Sequence, residues 1–293
     1  MRSKASRVEQ KSILQGLPSK EAAVKAGPVL KWAGGKSRLL NSYEEFFPQN
    51  FKSYFEPFTG GAAVFFHLKN KHKNFKATLS DLNQELINCY TIIRDQAYEL
   101  IADLKKHKNE EEYFYALRAV ATESLSPIER ASRLIYLNKT CFNGLYRVNS
   151  KGKFNVPFGF YKNPATCNET SILASSQALK DCDLNCSPFD AVLKHAKKGD
   201  FVYFDPPYHP LSSTANFTSY TKDSFSGSDQ ERLAETFAEL DRRGCLLMLS
   251  NSDCEFIRNL YKNYRTETVY ALRAINCKAE GRGKISEVLV LNY

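Results

Sequence analysis

Nowhere in the 293 residues is there an apolar run of the roughly 18 to 20 residues needed to cross a bilayer. The start, MRSKASRVEQKSILQ, also lacks the apolar stretch of a secretion signal. The expectation is a soluble, intracellular protein that does not engage a membrane. No C-x-x-C pair occurs among the eight cysteines, and the nearest two, Cys182 and Cys186, have no second Cys/His pair beside them. That spacing argues for reduced thiols and against a bound metal. The five histidines are scattered, so hydrolysis through a Ser/His or Cys/His arrangement has no support. No GxGxxG is present, which disfavours a nicotinamide cofactor, and GGKS (34–37) is not a phosphate-binding loop, because that pattern requires glycine where Leu30 stands.

Acidic residues are missing from one long stretch. Between Glu129 and Glu169 lie 39 residues without an acid, although 32 acids in the chain would place about four there. The gap holds Arg130, Arg133, Lys139, Arg147, Lys151, Lys153 and Lys162, with Phe142, Tyr146, Phe154, Phe158, Phe160 and Tyr161 among them and asparagines at 138, 143, 149, 155 and 163. Cations neutralise phosphates, Arg and Asn offer paired hydrogen bonds to base edges, and aromatics stack or wedge. The segment reads as a nucleic-acid contact surface; an ordinary solvated loop is the competing reading. Overall the chain has 41 Lys+Arg against 32 Asp+Glu, a formal charge of +9. Six bases and two acids fall in residues 1–27, read as a flexible basic tail. A hydrophobic share of 43% is enough for a sizeable core.

The pattern is α/β. SYFEPF (53–58) and ATLSD (77–81) read as strands around a helix over 61–70, a βαβ unit with its ligand edge at the strands' carboxyl ends. Helical periodicity runs from about Glu85 and gives way to the acid-free loop, which looks like an inserted module. Strands resume at DFVYFDPPY (200–208), CLLMLSN (245–251), TETVYALRAI (266–275) and EVLVLNY (287–293). Ser228 and Glu231 have capping-box spacing for a helix with Leu233, Phe237 and Leu240 on one face. Phe256, Ile257, Leu260, Tyr261 and Tyr264 mark another. The short connection CKAEGRGK predicts that the last two strands pair antiparallel.

Three motifs carry chemistry: KWAGGKSRL (31–39), FEPFTGGAAVF (55–65) and DPPY (205–208). Gly60 and Gly61 sit between a strand and a helix, where small residues admit a ligand to the backbone; a simple tight turn fits equally well. Asp81 ends the second strand, where a carboxylate can accept the hydroxyls of a ribose. DPPY suits an exocyclic amine on a flat base. The Asp205 carboxylate and the Pro206 carbonyl each accept one N–H, Tyr208 stacks on the ring, and Pro206 and Pro207 stiffen the turn without offering a competing N–H. Acceptors set out of plane favour a pyramidal nitrogen, whose lone pair can then attack a methyl group. A plain strand-ending turn is the alternative for DPPY taken alone.

Together LKWAGGK, EPFTGGAAVF, NGLYR with KGKFNVPFG, DPPYHPLSSTANFTSY and EVLVLNY resemble the Dam family of N6-adenine DNA methyltransferases, over about Leu30 to Tyr293. The resemblance implies a Rossmann-like methyltransferase sheet with a reversed last strand (28–84 and 168–293), interrupted by a mostly helical DNA-recognition domain at 85–167. It implies S-adenosylmethionine as cofactor, held by Trp32, Lys36, Asp81 and Asp205 with Glu56, Phe58 and Gly60 beside it. Asp205, Pro206, Pro207 and Tyr208 would form the catalytic motif that holds a flipped adenine. For double-stranded DNA it implies Lys31 at an outer guanine, Arg147 and Leu145 in the major groove, Phe142 and Asn143 at the gap left by flipping, and Pro157, Tyr161 and Lys162 as further contacts; Lys153 joins them as a phosphate contact. GATC is the implied site, no obligate protein partner is implied, and the setting is bacterial cytoplasm and nucleoid, where such marks serve DNA replication, mismatch repair, gene regulation or protection from a restriction enzyme, the sequence not choosing among them. Phe142 stands where the family usually has tyrosine, which preserves stacking and removes a hydroxyl. Competing readings are methylation of an amide nitrogen or of RNA, which Asp at 205 and the acid-free insert disfavour, and a DNA-binding regulator without activity.

Overall fold

The computed structural model describes residues 24–72, 74–210, 225–272 and 284–293. Most of the expected N-terminal tail, the stretch 211–224 after DPPY and all but the last residue of CKAEGRGK lie outside these residues. The end of the expected tail is fastened to the body. The amide of Asn70 donates to the Ala26 carbonyl at 2.8 Å, and the Ser175 hydroxyl donates to the Gly27 carbonyl at 2.9 Å.

The chain runs α1 (Leu40–Tyr43), β1 (Ser53–Glu56), α2 (Ala63–Lys71), β2 (Lys76–Asp81), α3 (Gln84–Asp95), α4 (Ala97–Leu104), α5 (Glu111–Ala119), α6 (Pro127–Thr140), α7 (Glu169–Leu179) and β3 (Cys182–Cys186). It continues through β4 (Phe201–Phe204), α8 (Gly227–Arg242), β5 (Leu246–Ser252), α9 (Glu255–Leu260), β6 (Arg265–Leu272) and β7 (Lys284–Leu291). Among the described residues, seven strands form one sheet in the order β3-β2-β1-β4-β5-β7-β6. The neighbours β3/β2, β2/β1, β1/β4 and β4/β5 are parallel, and β7 runs antiparallel to both β5 and β6. This is the expected methyltransferase-type sheet with a reversed last strand. Successive strands step outward from β1 on one side and from β4 on the other, so a crevice opens at their carboxyl ends, where open α/β sheets bind ligands. Glu56 closes β1 and Asp205 follows β4 at that crevice.

The central strands are buried on both faces, as parallel strands covered by helices must be. Phe201 and Tyr203 of β4 point into one apolar cluster, and Val202 and Phe204 into the other. Two local expectations shift. Helix α8 begins at a capping box of Ser226 with Asp229, two residues before the pair read from the sequence, and buries Leu233, Phe237 and Leu240 as expected. Helix α2 starts at Ala63 because Ala62 holds a left-handed φ of 54°.

The apolar packing divides elsewhere than at residue 85. Leu86, Cys89, Tyr90, Ile92 and Ile93 of α3 and Leu100, Ile101 and Leu104 of α4 share the sheet's cluster. A separate small core joins Phe114 of α5 and Tyr136 and Leu137 of α6 to Cys141, Phe154, Val156 and Phe158. Helix α6 straddles both, since its Ala131, Leu134 and Ile135 face the sheet's cluster. It is opened by a Ser126–Glu129 capping box with Pro127 at the first helical position.

Candidate active site

The turn after β1 requires its glycine twice over. Gly60 adopts φ +44°, and a Cβ there would lie 2.8 Å from Cδ1 of Trp32. Its N–H donates to Asp81 Oδ2 at 3.0 Å, the Asn83 N–H donates to Oδ1 at 2.9 Å, and the Tyr90 hydroxyl donates to the Gly60 carbonyl at 2.8 Å. Trp32, Gly60 and Asp81 therefore meet at one corner of the crevice. Burial raises the Asp81 carboxyl, opposed by the backbone N–H donors of Asn83 and Gly60. Phe58 stacks on Phe189 at 5.4 Å and meets Phe225 edge-on at 5.6 Å, giving the crevice an aromatic wall.

Glu56 is 3% exposed. Its Oε2 accepts from the Tyr54 hydroxyl at 2.8 Å and from the Phe65 N–H at 3.2 Å. Both donors favour the carboxylate, yet burial outweighs them and pushes the group up to about 8, with nearby Asp205 adding to the rise.

Asp205 centres the second group. Its Oδ1 pairs with the Lys36 ammonium at 2.6 Å and accepts from the Ser250 hydroxyl at 2.9 Å; Ser250 in turn bonds Tyr203 at 2.9 Å. Lys36, 4% exposed, also donates to the Gly34 carbonyl at 2.8 Å and sits 4.7 Å above the Tyr208 ring. The Tyr208 hydroxyl donates to Glu287 Oε2 at 2.7 Å, and Tyr43 donates to the same oxygen at 3.0 Å. Burial raises the Asp205 carboxyl while Lys36 opposes the rise. Among the described residues nothing donates to Asp205 Oδ2 or to the carbonyl of Pro206, itself a buried residue, so two acceptors are left over at the head of β4.

The loop after DPPY is held by side chains. Gln230 donates to the Pro207 carbonyl at 2.9 Å and accepts from Asn251 at 3.0 Å; Asn251 accepts from the His209 N–H at 3.1 Å, and Ser252 donates to the His209 carbonyl at 2.7 Å.

The acid-free segment is less uniform than its composition suggests. Arg130 forms an ion pair with Glu85, and Arg133 is buried, donating to the carbonyls of Leu117 and Arg118. These two of the seven cations are spent inside the fold. Tyr146 stacks on Trp32 at 5.2 Å, and Phe154 and Phe158 fill the small core, so none of the three is offered to a base. Asn138, Asn149 and Asn155 bond within the chain. What remains outward is Phe142, 53% exposed, and Phe160, 70% exposed, together with Asn143, Arg147, Lys151, Lys153, Pro157, Lys162 and Asn163. The Phe142 N–H donates to the Pro157 carbonyl at 2.9 Å, and Leu145 is half-buried against the small core. Arg147 is braced by Asn155, with Nε donating to Oδ1 at 2.7 Å.

Lys31, far from this segment in sequence, joins it in space. The fully buried Asn138 accepts from the Lys31 N–H and donates to the Lys31 carbonyl, both at 2.8 Å, and donates to the Gly144 carbonyl at 3.0 Å. Gly144, at φ +63°, leaves room for the Lys31 side chain, whose Cδ would sit 2.2 Å from a Cβ there. The Lys31 ammonium lies 5.0 Å over the Tyr161 ring. Sequence reading missed the supporting residues Tyr43, Gln230, Ser250, Asn251 and Glu287. The signal for Ser250 and Asn251 was a polar pair ending the apolar strand β5; nothing local marks the other three.

A family pattern described as D12 class N6 adenine-specific DNA methyltransferase matches residues 32–275. Over 285 residues the chain is 42% identical to the type II methyltransferase M.MjaIII of Methanocaldococcus jannaschii, covering 91% of this chain and 99% of that protein. It is 43% identical over 274 residues to the type II methyltransferase M1.LlaDCHI of Lactococcus lactis subsp. cremoris, 91% and 95% of the two chains. The DNA adenine methylase of Serratia marcescens is 36% identical over 267 residues, 89% of this chain and 97% of its own. With these likenesses laid over a reversed-strand α/β sheet, the chain belongs to the D12 class of N6 adenine-specific DNA methyltransferases, a transferase that acts on DNA.

Proposed function

We propose that the enzyme methylates N6 of an adenine flipped out of duplex DNA, using S-adenosylmethionine, at the site GATC. One observation carries this reading: Asp205 Oδ2 and the Pro206 carbonyl are two acceptors with no donor among the described residues, at the head of β4. An exocyclic amine has two N–H groups to give them. Asp205 and Pro206 hold the amine and direct its lone pair, and the half-buried Tyr208 orients the base. The exocyclic nitrogen is nucleophilic once pyramidal, so no cysteine needs to attack the ring.

The donor set beside this point fits S-adenosylmethionine: the Asp81 carboxylate for a ribose, the Phe58 wall for an adenine, and Trp32, Gly60, Glu56, Lys36 and Asp205 around the remaining amino-acid portion. That cofactor supplies an electrophilic methyl on a sulfonium. The chain's part is to exclude water and fix the amine on the line of approach.

For DNA, Arg147 and Leu145 read the major groove, Lys31 reaches an outer guanine beside Tyr161, and Phe142 with Asn143 occupies the step from which adenine leaves. Pro157 and Lys162 flank these contacts, and Lys153 neutralises phosphate. Sequence-resolved methylation mapping of plasmid DNA from a methylation-deficient host expressing the chain is expected to show N6-methyladenine at GATC and nowhere else; a different site would overturn the GATC assignment.

Arg147→Ala is expected to relax discrimination at one base pair by about 1–3 kcal/mol. Lys153→Ala is expected to weaken binding to all sequences alike and to lower the salt slope by about 1. Binding isotherms on cognate and singly substituted duplexes at several salt concentrations check both. Equal affinity losses without a change of preference would remove Arg147 from its reading role.

A further inference from the structure

The DPPY turn has to present one carbonyl and withhold its neighbours. Pro207 and His209 carbonyls are engaged by Gln230 and Ser252, at 2.9 and 2.7 Å, and the His209 N–H is engaged by Asn251 at 3.1 Å. Among the described residues the carbonyls of Pro206 and Tyr208 accept no hydrogen bond, and of these two residues only Pro206 is buried. Gln230 and Asn251 are both 0% exposed and bond each other at 3.0 Å. They come from different elements, α8 and β5, so the turn is gripped from the helix layer and from the sheet at once. Asn251 Oδ1 also accepts from the Ser252 N–H at 2.8 Å, which fixes the orientation of its carboxamide. Fully satisfied buried networks of this kind hold a single geometry, whereas a missing member frees a costly unpaired group.

We propose that Gln230 and Asn251 are positioning residues for methyl transfer, setting the direction of the Pro206 carbonyl toward the adenine amine. Neither touches substrate; each acts through the backbone of residues 207–209. The inference rests on the functional reading above and extends it to how the second acceptor is aimed. Loss of the grip lets the turn drift, and a shift of about 1 Å at reacting atoms costs rate by about a hundredfold.

The test compares wild type with Gln230→Ala, Gln230→Met and Asn251→Leu on a duplex carrying the enzyme's own methylation site. The first two remove the donor to Pro207 and put no titratable group in its place; the third removes the acceptor for the His209 N–H and the donor to Gln230. Met and Leu preserve size, so they decide the matter if alanine prevents folding. The expected result is a kcat lower by about a hundredfold, with KM for the duplex changed by less than about threefold. The fluorescence rise of 2-aminopurine substituted for the target adenine is expected to persist, because flipping does not need the aimed carbonyl. A cooperatively melting Gln230→Met or Asn251→Leu with kcat within about threefold of wild type overturns the inference. So does a loss of kcat that only tracks loss of the fluorescence rise. A wild-type protein that methylates no adenine in plasmid DNA overturns the functional reading and this inference together, whereas active wild type with unchanged variants overturns this inference alone.

Discussion

Asp205→Ala is expected to lower methylation of a duplex carrying the enzyme's own site by about a thousandfold or more, the scale on which loss of an aimed polar group at reacting atoms is felt. Alanine deletes the open Oδ2 and also the ion-pair partner of Lys36, which is 4% exposed and, among the described residues, then has only the Gly34 carbonyl as hydrogen-bond acceptor. An uncompensated buried cation costs about 3–5 kcal/mol, so part of the effect is on folding. The two effects separate experimentally. Thermal unfolding reports the stability loss, and single-turnover transfer at saturating DNA and S-adenosylmethionine reports the chemistry. A double variant with Lys36→Met removes the unpaired charge and is expected to regain stability while staying inactive. Asp205→Ala with turnover within about tenfold of wild type would exclude Asp205 as an amine acceptor.

The second large effect concerns stability and pH. Glu56 is protonated in the fold up to about pH 8 because burial outweighs its two donors. Its ordinary value is 4.5. Between these limits the folded chain holds a proton that the unfolded chain has released, so stability contributed at this position is full below about 4.5 and falls as pH rises toward 8. At one pKa unit per about 1.4 kcal/mol, the swing is several kcal/mol. Glu56→Gln keeps an oxygen for the Tyr54 hydroxyl and the Phe65 N–H and places an amide where the protonated oxygen stood. It is expected to flatten the decline in unfolding midpoint between pH 5 and 8 and to leave the variant more stable than wild type at pH 8. An unchanged slope would show that Glu56 is ionised in the fold.

Much of the fold was legible because strands buried on both faces appear as unbroken apolar runs, as FVYF and LLML do here. Strand β3, CDLNC, escaped because it is an edge strand with one buried residue, Cys182, and no apolar periodicity. The stretch of α3 and α4 reads as helical, but helical periodicity does not say what covers an apolar face, and grouping it with the insert does not show that both helices share the sheet's apolar cluster. The capping box of α8 was misplaced because Ser226/Asp229 and Ser228/Glu231 share one spacing. At the site, DPPY is readable because its chemistry lies in adjacent residues, and Gly60 and Asp81 are readable because each follows or ends a strand of one βαβ unit. Composition overstated the acid-free segment, since whether a cation faces solvent or, like Arg130 and Arg133, meets Glu85 or a backbone carbonyl depends on contacts distant in sequence.

The Asn138 clamp bears on any attempt to give this enzyme a new target. Transplanting residues 138–162 from a relative moves the segment proposed to read DNA without Lys31, which stays with the recipient and is tied by its backbone to Asn138 and by its side chain to Gly144 and Tyr161. A graft that leaves position 31 and its neighbours behind would carry the donor's loop on the recipient's anchor. The exchangeable unit is discontinuous, and swaps that respect it are expected to change sequence preference while keeping turnover.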